Sequence, residues 1–303
     1  MRHLLKHNRA SFLVLFALLL IVLLFFGCAT TPPAQQDSFL FSLLPRDSQF
    51  YLRFPVQDNM ELANSLVTSF SPNLSEKDKQ KLLDRIGTIY GSILNDEIYA
   101  ASTGSFPKFA LGFVLKEKNG WQKVPSKNIP ITDKYYVAME SGLQLAFPNS
   151  SVALAANDVV SMLQSYQNYE SSHVHESSAS LFFLQQEQDK SECISFYLID
   201  ARKLLPSLEG SSFKLSFPFG DGYGYLTPDL RFSHGGVAYQ LEAFLSLTDS
   251  RALRPAIAAL KIASRAIDVP FQVEAYGSDV IRIYDMSFTK EMICELVLKI
   301  LEE

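Results

Sequence analysis

From Phe12 to Phe26 the chain carries no charged side chain. A basic head (Arg2, Lys6, Arg9) precedes this run, and Gly27-Cys28 closes it. The run is long enough to enter a bilayer as a helix and marginal for a permanent span. Lys and Arg resist translocation, so the head stays on the cytoplasmic side. A positive head, an apolar stretch and a small residue make an export signal. Residues 1–27 therefore take no part in the mature fold, and the body must fold outside the cytoplasm.

Leu24-Phe25-Phe26-Gly27-Cys28 resembles the lipobox of bacterial lipoproteins. Phe25 and Phe26 stand where that box usually has a leucine and a small residue, and the relaxed form is similar to that of spirochaete lipoproteins. The resemblance implies cleavage between Gly27 and Cys28, with a diacylglyceryl thioether on the Cys28 sulfur. The new amino end would often carry a further acyl chain. Partners then include the membrane itself, held through the acyl chains on Cys28, because each buried methylene contributes about 0.8 kcal/mol. Ala29, where an aspartate would retain a lipoprotein at the inner membrane, permits transfer outward. The implied location is the cell envelope, lipid-anchored outside the cytoplasmic membrane, at the outer membrane or the periplasmic face. The competing reading is an uncleaved anchor with an incidental cysteine. The place of Cys28 at the end of the run, with the polar Thr30–Gln36 stretch following at once, favours lipidation.

The chain has 27 basic and 32 acidic residues; loss of the signal leaves 24 against 32, a net of −8. No long Lys/Arg run occurs. Nucleic acid and anionic headgroups need cationic patches, so neither is an expected partner of the body. Gly and Pro stand at 14 each and 48% of residues are hydrophobic, which points to folding rather than disorder. Apart from Cys28, only Cys193 and Cys294 remain. They are read either as a disulfide pair or as two buried thiols.

Thr30–Gln36 reads as a proline-bearing tether. Gln49–Phe54 is strand-like, and Asp58-x-x-Glu61 resembles a capping box ahead of Ala63, Leu66, Val67 and Phe70 at helical spacing. A second helix is expected from Ser75, with Leu82, Ile86, Ile89, Tyr90 and Ile93 as its stripe. Strands are expected at Glu97–Thr103, Phe109–Lys116, Tyr135–Met139, Leu143–Phe147 and Val152–Ala156, then a helix capped by Asn157 or Asp158. In the second half Phe196-Tyr197-Leu198 echoes Phe50-Tyr51-Leu52, and a short helix passes through Leu204 and Leu205. Phe213–Phe219 and Val237–Leu247 read as strands. A helix near Ser250–Ala266 follows, with Pro255 at a kink or fresh start, then a hairpin over Phe271–Tyr284 and a terminal helix from about Phe288. Each half ends in a hairpin and a helix, a pattern of duplication. This arrangement after a lipoprotein signal is similar to that of exported bacterial proteins with no assigned activity. The expected class is α+β, antiparallel sheets with helices packed on one face. The divisions are a signal peptide at 1–27, a lipidated tether at 28–38, one half at 39–178 and a related half at 179–303.

Several patterns carry residue types found in reactive sites. Ser287-x-x-Lys290 has the spacing of the penicillin-binding nucleophile, yet no Lys-Thr-Gly exists, so Ser287 is read as a helix cap. His234-Gly235-Gly236 lacks a nucleophile elbow and reads as a turn. His173-x-His175-Glu176 lacks further metal ligands and reads as a solvated loop. Gly220–Tyr225 reads as a hairpin with Asp221-Gly222 at its tip. Phe217, Phe219, Tyr223 and Tyr225 read as core, or else as an aromatic groove for glycan or peptide. Trp121 reads as a loop residue. No catalytic residue, metal ligand or cofactor is assigned. The function expected is that of a membrane-anchored envelope lipoprotein with a non-enzymatic structural or partner-binding role, toward an envelope or host protein. The alternatives are an envelope hydrolase acting on cell-wall or lipid material and a small-ligand carrier with a cleft between its halves.

Overall fold

A computed structural model describes residues 38–70, 75–95, 97–107, 111, 115–126, 131–139, 141–169, 179, 182–183, 190–201, 217–229, 238–265 and 270–302. Gly27, Cys28 and the tether before Ser38 lie outside the described residues.

Among the described residues twelve strands pair antiparallel in one sheet. They are β1 (Phe50–Pro55), β2 (Ile86–Leu94), β3 (Glu97–Gly104), β4 (Trp121–Pro125), β5 (Lys134–Ala138), β6 (Gln144–Ala146) and β7 (Val152–Ala156). The second half supplies β8 (Ile194–Leu198), β9 (Phe219–Asp229), β10 (Ala238–Leu247), β11 (Gln272–Ala275) and β12 (Val280–Thr289). The order across the sheet is β11-β12-β10-β9-β8-β1-β2-β3-β7-β6-β5-β4. The two halves meet where β1 pairs with β8. Backbone pairing therefore joins them.

The expected α+β class with antiparallel pairing is what forms. One sheet face is crowded. It carries α2 (Met60–Phe70), α3 (Glu76–Leu83), α5 (Leu253–Ala263) and α6 (Lys290–Glu302). Leu62, Val67, Leu82 and Ile293 pack there against Phe54, Ala153 and Ala155, while Ala256 and Leu260 of α5 pack on Leu245, Val273 and Ile281. Burying one such large apolar side chain contributes about 1.5–3 kcal/mol. The opposite face carries α1 (Ser38–Phe41) and α4 (Val159–Tyr169). These two cover Tyr90, Tyr99, Leu154 and Ala156 in the first half. Asp158 caps α4 by accepting from Val160 N at 3.1 Å, as expected. Helical Phe182 reaches Tyr223 of β9, no described helix covers this face over β10–β12, and it is called the open face below.

The chain enters the body through a buried strap. Leu40, Phe41, Leu43 and Leu44 are all buried. Tyr51 fixes the strap's far end, its hydroxyl donating to Pro45 O at 2.8 Å and accepting from Ser48 N at 3.2 Å.

Five expectations fail for identifiable reasons. Ile86–Ile93 is strand β2, not the end of a helix; Gly87 and Gly91 disfavour a helix, and β1 and β3 supply pairing on both sides. Within the expected strand Phe109–Lys116, Leu115 N instead donates to Leu111 O in a helical turn, and both leucines are buried. Trp121 is no loop residue; it opens strand β4 and is 1% exposed. Asp58 falls in a 3-10 turn, Gln57–Asn59, with no side-chain cap at Val56. The amides of Gln57 and Asn59 do the bonding there, donating to Leu83, Ile86, Pro55 and Glu192 carbonyls. Gly220–Tyr225 is no hairpin tip but the interior of β9. Gly222 and Gly224 face the crowded side, where a Cβ on Gly224 would stand 2.8 Å from the Phe196 ring, while a Cβ on Gly220 would meet Ser246 Oγ at 2.7 Å.

Strand β12 outruns its expected end. Asp285 takes φ 56° at a bulge, where the register with β10 slips between Leu241 and Ala243. The extra residue keeps Ile281, Ile283, Met286 and Phe288 together on the crowded side. Pro255, by contrast, meets its expectation of a fresh start: it sits in the first turn of α5, where its missing N–H costs nothing.

Candidate binding face

On the open face one row of side chains crosses six strands. Tyr51 stands opposite Tyr197, Tyr197 opposite Tyr223, Tyr223 opposite Phe244, Phe244 opposite Arg282, and Arg282 opposite Glu274. Alternation along each strand puts these residues on one side of the sheet. Tyr223 stacks on Phe244 with centroids 5.0 Å apart at 17°, and Tyr276 meets Phe244 edge-on at 5.0 Å. Phe182 closes over Tyr223 at 5.1 Å. Tyr276 itself is 55% exposed.

Beside the rings lies a chain of alternating charge. Arg282 Nε donates to Glu242 Oε1 at 2.6 Å, and its Nη1 donates to Glu274 Oε1 at 2.8 Å. Lys190 Nζ is 3.7 Å from Glu242 Oε2 and 3.1 Å from the centre of the Tyr225 ring. The Arg282 guanidinium also lies over Tyr284, at 4.7 Å. Two cations and two carboxylates thus neutralise one another. Arg53 holds the approach of Lys190 in place, its Nη1 donating to Ser191 O at 2.9 Å.

The protonation states are settled by burial. Burial raises the Tyr225 phenol, and the bond to Glu242 and that carboxylate's charge add to the effect, so Tyr225 stays a donor. Burial also raises the Cys193 thiol, next to Thr227 Oγ1 at 3.3 Å. It raises the Cys294 thiol likewise. The thiols remain un-ionised and therefore poor nucleophiles. Cys193 lies on the open face with Tyr225 and Phe244, whereas Cys294 lies in the core of the crowded face. Both are free. The sheet stands between them, so they are buried thiols and not a pair.

Among the described residues, the patterns singled out in the sequence do not assemble into a reactive centre. Ser287 is a strand residue that accepts from Gln240 Nε2 at 2.6 Å, and Thr289 caps α6 in its place, accepting from Met292 N. Lys290 pairs with Glu61 at 3.7 Å. Phe217 and Phe219 pack on the crowded face and Tyr223 and Tyr225 on the open one, so the four aromatics form no single groove. His173, His175, Glu176, His234, Gly235 and Gly236 lie outside the described residues. Among the described residues no three His, Cys, Asp or Glu side chains converge as a metal site. None of the described helices is long and apolar enough to cross a membrane.

Lys190, Glu242, Glu274, Tyr276 and Arg282 were not singled out in the sequence. The signal was present as alternation: Val273, Ile281 and Ile283 face the core, and Glu274, Arg282 and Tyr284 face away. Strand order, which makes these residues neighbours, is not written in local pattern.

No curated protein matches the chain in sequence. Among solved structures, crystal form III of TP0453 is similar with a TM-score of 0.63 and 17% identity, covering 90% of this chain and 100% of that one. Crystal form I of TP0453 gives 0.61 and 16%, covering 90% and 99%. Crystal form IV gives 0.59 and 17%, covering 85% and 96%. At such identities the likeness is one of fold. The sequence model of the outer membrane-associated lipoprotein TP0453 matches residues 35–290. With the signal-like leader ahead of that stretch and the same fold within it, the chain belongs to the TP0453 family of outer membrane-associated lipoproteins, and its place is the cell envelope.

Proposed function

We propose that the protein is anchored through acyl chains on Cys28 and serves the envelope by binding a partner rather than by carrying out a reaction. The observation that carries the binding role is the closed charge chain Lys190–Glu242–Arg282–Glu274 on the open face. Each carboxylate there is committed to a cation, and the neighbouring phenol and thiol are held protonated. Such a surface offers fixed donors, acceptors and rings, which suit recognition. A hydrolase would need a nucleophile matched to a base, and Ser287 is engaged by an amide.

The anchor is supported by the order of head, apolar run and Gly27-Cys28, and by membership of a lipoprotein family. Metabolic labelling with palmitate tests it. The native chain should incorporate label and Cys28→Ser should not; undiminished labelling of that variant would refute the anchor. Cross-linking on intact envelopes tests the binding role. A reproducible partner supports it, whereas labelling of a serine by a fluorophosphonate or penicillin-type probe, with turnover, would replace it by the hydrolase.

A further inference from the structure

The sheet ends in two edge strands, β4 and β11, and an edge strand presents amides and carbonyls that a further strand can pair with. The two edges differ. On β4, Met139 N donates to Gly120 O and Ser126 N donates to Asp133 O, so the backbone of Trp121, Lys123 and Pro125 points away from β5. Trp121 N donates to Lys116 O at 3.3 Å, and Pro125 has no N–H to offer. Of the three, Lys123 alone keeps an outward amide for pairing. On β11, Tyr276 N donates to Val280 O at 2.8 Å. Glu274 and Gln272 therefore bond β12 in their turn, and Phe271, Val273 and Ala275 point outward. Among the described residues no backbone group bonds these outward amides. Strand β11 is the edge left able to pair.

The sequence of this edge is self-complementary about Val273. An antiparallel second copy centred there sets Val273 against Val273, Phe271 against Ala275, Gln272 against Glu274 and Pro270 against Tyr276. The two Val273 residues exchange N–H···O=C bonds, and each Ala275 does so with the Phe271 of the other copy. On the crowded side a large ring meets a methyl group. On the open side the Gln272 amide donates to the Glu274 carboxylate. Pro270 falls at an inward position, where the ladder between copies asks for no N–H. The exposed Tyr276 ring then lies against Pro270, itself exposed. On the crowded side α5 packs along β11. Its Ile257 flank joins the core, and Ile262 stands on the other flank, 53% exposed. An unburied apolar side chain thus brackets the open edge on each face of the sheet.

We propose that β11 pairs antiparallel with β11 of a second copy of this chain, centred on Val273, so that the two sheets become one. Closure selects this occupant. Pairing of β11 with β4 of the next copy is heterologous and runs on without end, and β4 is blunted at Trp121 and Pro125. Pairing of β11 with itself is isologous and stops at two copies. Each Glu274 enters the interface already bonded to Arg282 Nη1 at 2.8 Å, so the axis brings no bare carboxylates together. The interface goes beyond the binding role above and depends on neither that role nor the anchor.

The test is sedimentation equilibrium of the full lipoprotein in density-matched detergent, over a range of protein concentration. The native chain should pass from monomer to dimer and to nothing larger. Ala275→Pro removes an outward amide from each copy and no bond to β12, and should weaken the dimer by about tenfold or more. Its melting, compared where the native chain is monomeric, should be unchanged, which separates loss of the contact from loss of the fold. Tyr276→Ser should weaken the dimer too. Lys123→Pro, which strips the remaining amide from β4, should leave it intact. Register is read by oxidation. Gln272 and Glu274 of opposite copies form a non-hydrogen-bonded pair with Cα atoms about 4.5 Å apart, a separation that a disulfide spans. A mixture of Gln272→Cys and Glu274→Cys chains should therefore oxidise to a covalent dimer that neither variant forms alone. A monomer at every concentration, a dimer indifferent to Ala275→Pro, a dimer lost with Lys123→Pro, or oxidation without preference for the mixture would each overturn the proposal. So would a monomeric chain from which Ala275→Pro removes a cross-linked envelope protein, since the edge would then serve a different chain.

Discussion

At Gly224 an added Cβ would run into the Glu242 carbonyl oxygen and stand 2.8 Å from the tip of the Phe196 ring. Backbone cannot retreat as a flexible side chain can, so Gly224→Ala is expected to destabilise by about 1–3 kcal/mol. Denaturant melts at matched conditions check this; a loss too small to measure would show that Phe196 has another rotamer to take. The same position shows what a single sequence conceals. Gly220, Gly222 and Gly224 alternate with Asp221, Tyr223 and Tyr225, and alternation is a strand signal. Read locally, the glycines spelled a turn. Their physical reason lies in Ser246 for Gly220, in Ala201 and Leu245 for Gly222 and in Phe196 for Gly224, residues remote along the chain. Trp121 was concealed in the same way: its charged and glycine neighbours suggested exposure, and only the sheet buries it.

At the scale of the element, β12 depends on one residue held left-handed. Asp285 at φ 56° lets four apolar side chains share a side across the bulge. Asp tolerates that conformation, a β-branched residue does not. Asp285→Val is expected to cost about 1–2 kcal/mol, while Asp285→Gly should be tolerated, as calorimetric melting of the two variants will show. The expected hairpin over Phe271–Tyr284 was legible because Phe271, Val273 and Ala275 alternate with polar residues and Gly277-Ser278 marks the turn. The bulge was not legible, because nothing local distinguishes Asp285 from a turn residue. Strand β2 failed for a related reason. Ile86, Ile89, Tyr90 and Ile93 satisfy a helical stripe, but a strand buried on both sides needs no clean alternation and so leaves no signature of its own. The caps fared better where the side chain itself bonds the helix, as Asp158 does.

At the scale of the molecule, β1 and β8 carry the sheet across the boundary between the halves. A seam made of backbone pairing couples them, so unfolding of the body is expected as one cooperative transition and not two. Agreement between calorimetric and van't Hoff enthalpies supports this; separate transitions, or a half that melts alone, would contradict it. The internal likeness of Phe50-Tyr51-Leu52 and Phe196-Tyr197-Leu198 was legible as an echo. That the two segments face each other across the seam was not, since pairing partners are a property of the folded chain. The buried strap sets a last condition. Leu40 to Leu44 are seated in the core and Tyr51 holds the turn beyond them. The body can therefore surrender no slack to the stretch leading back to Cys28. Those ten or so residues reach about 35 Å when fully drawn out. With Cys28 acylated, the protein is moored on a fixed, short leash, and whatever it meets must come within a few nanometres of the lipid surface.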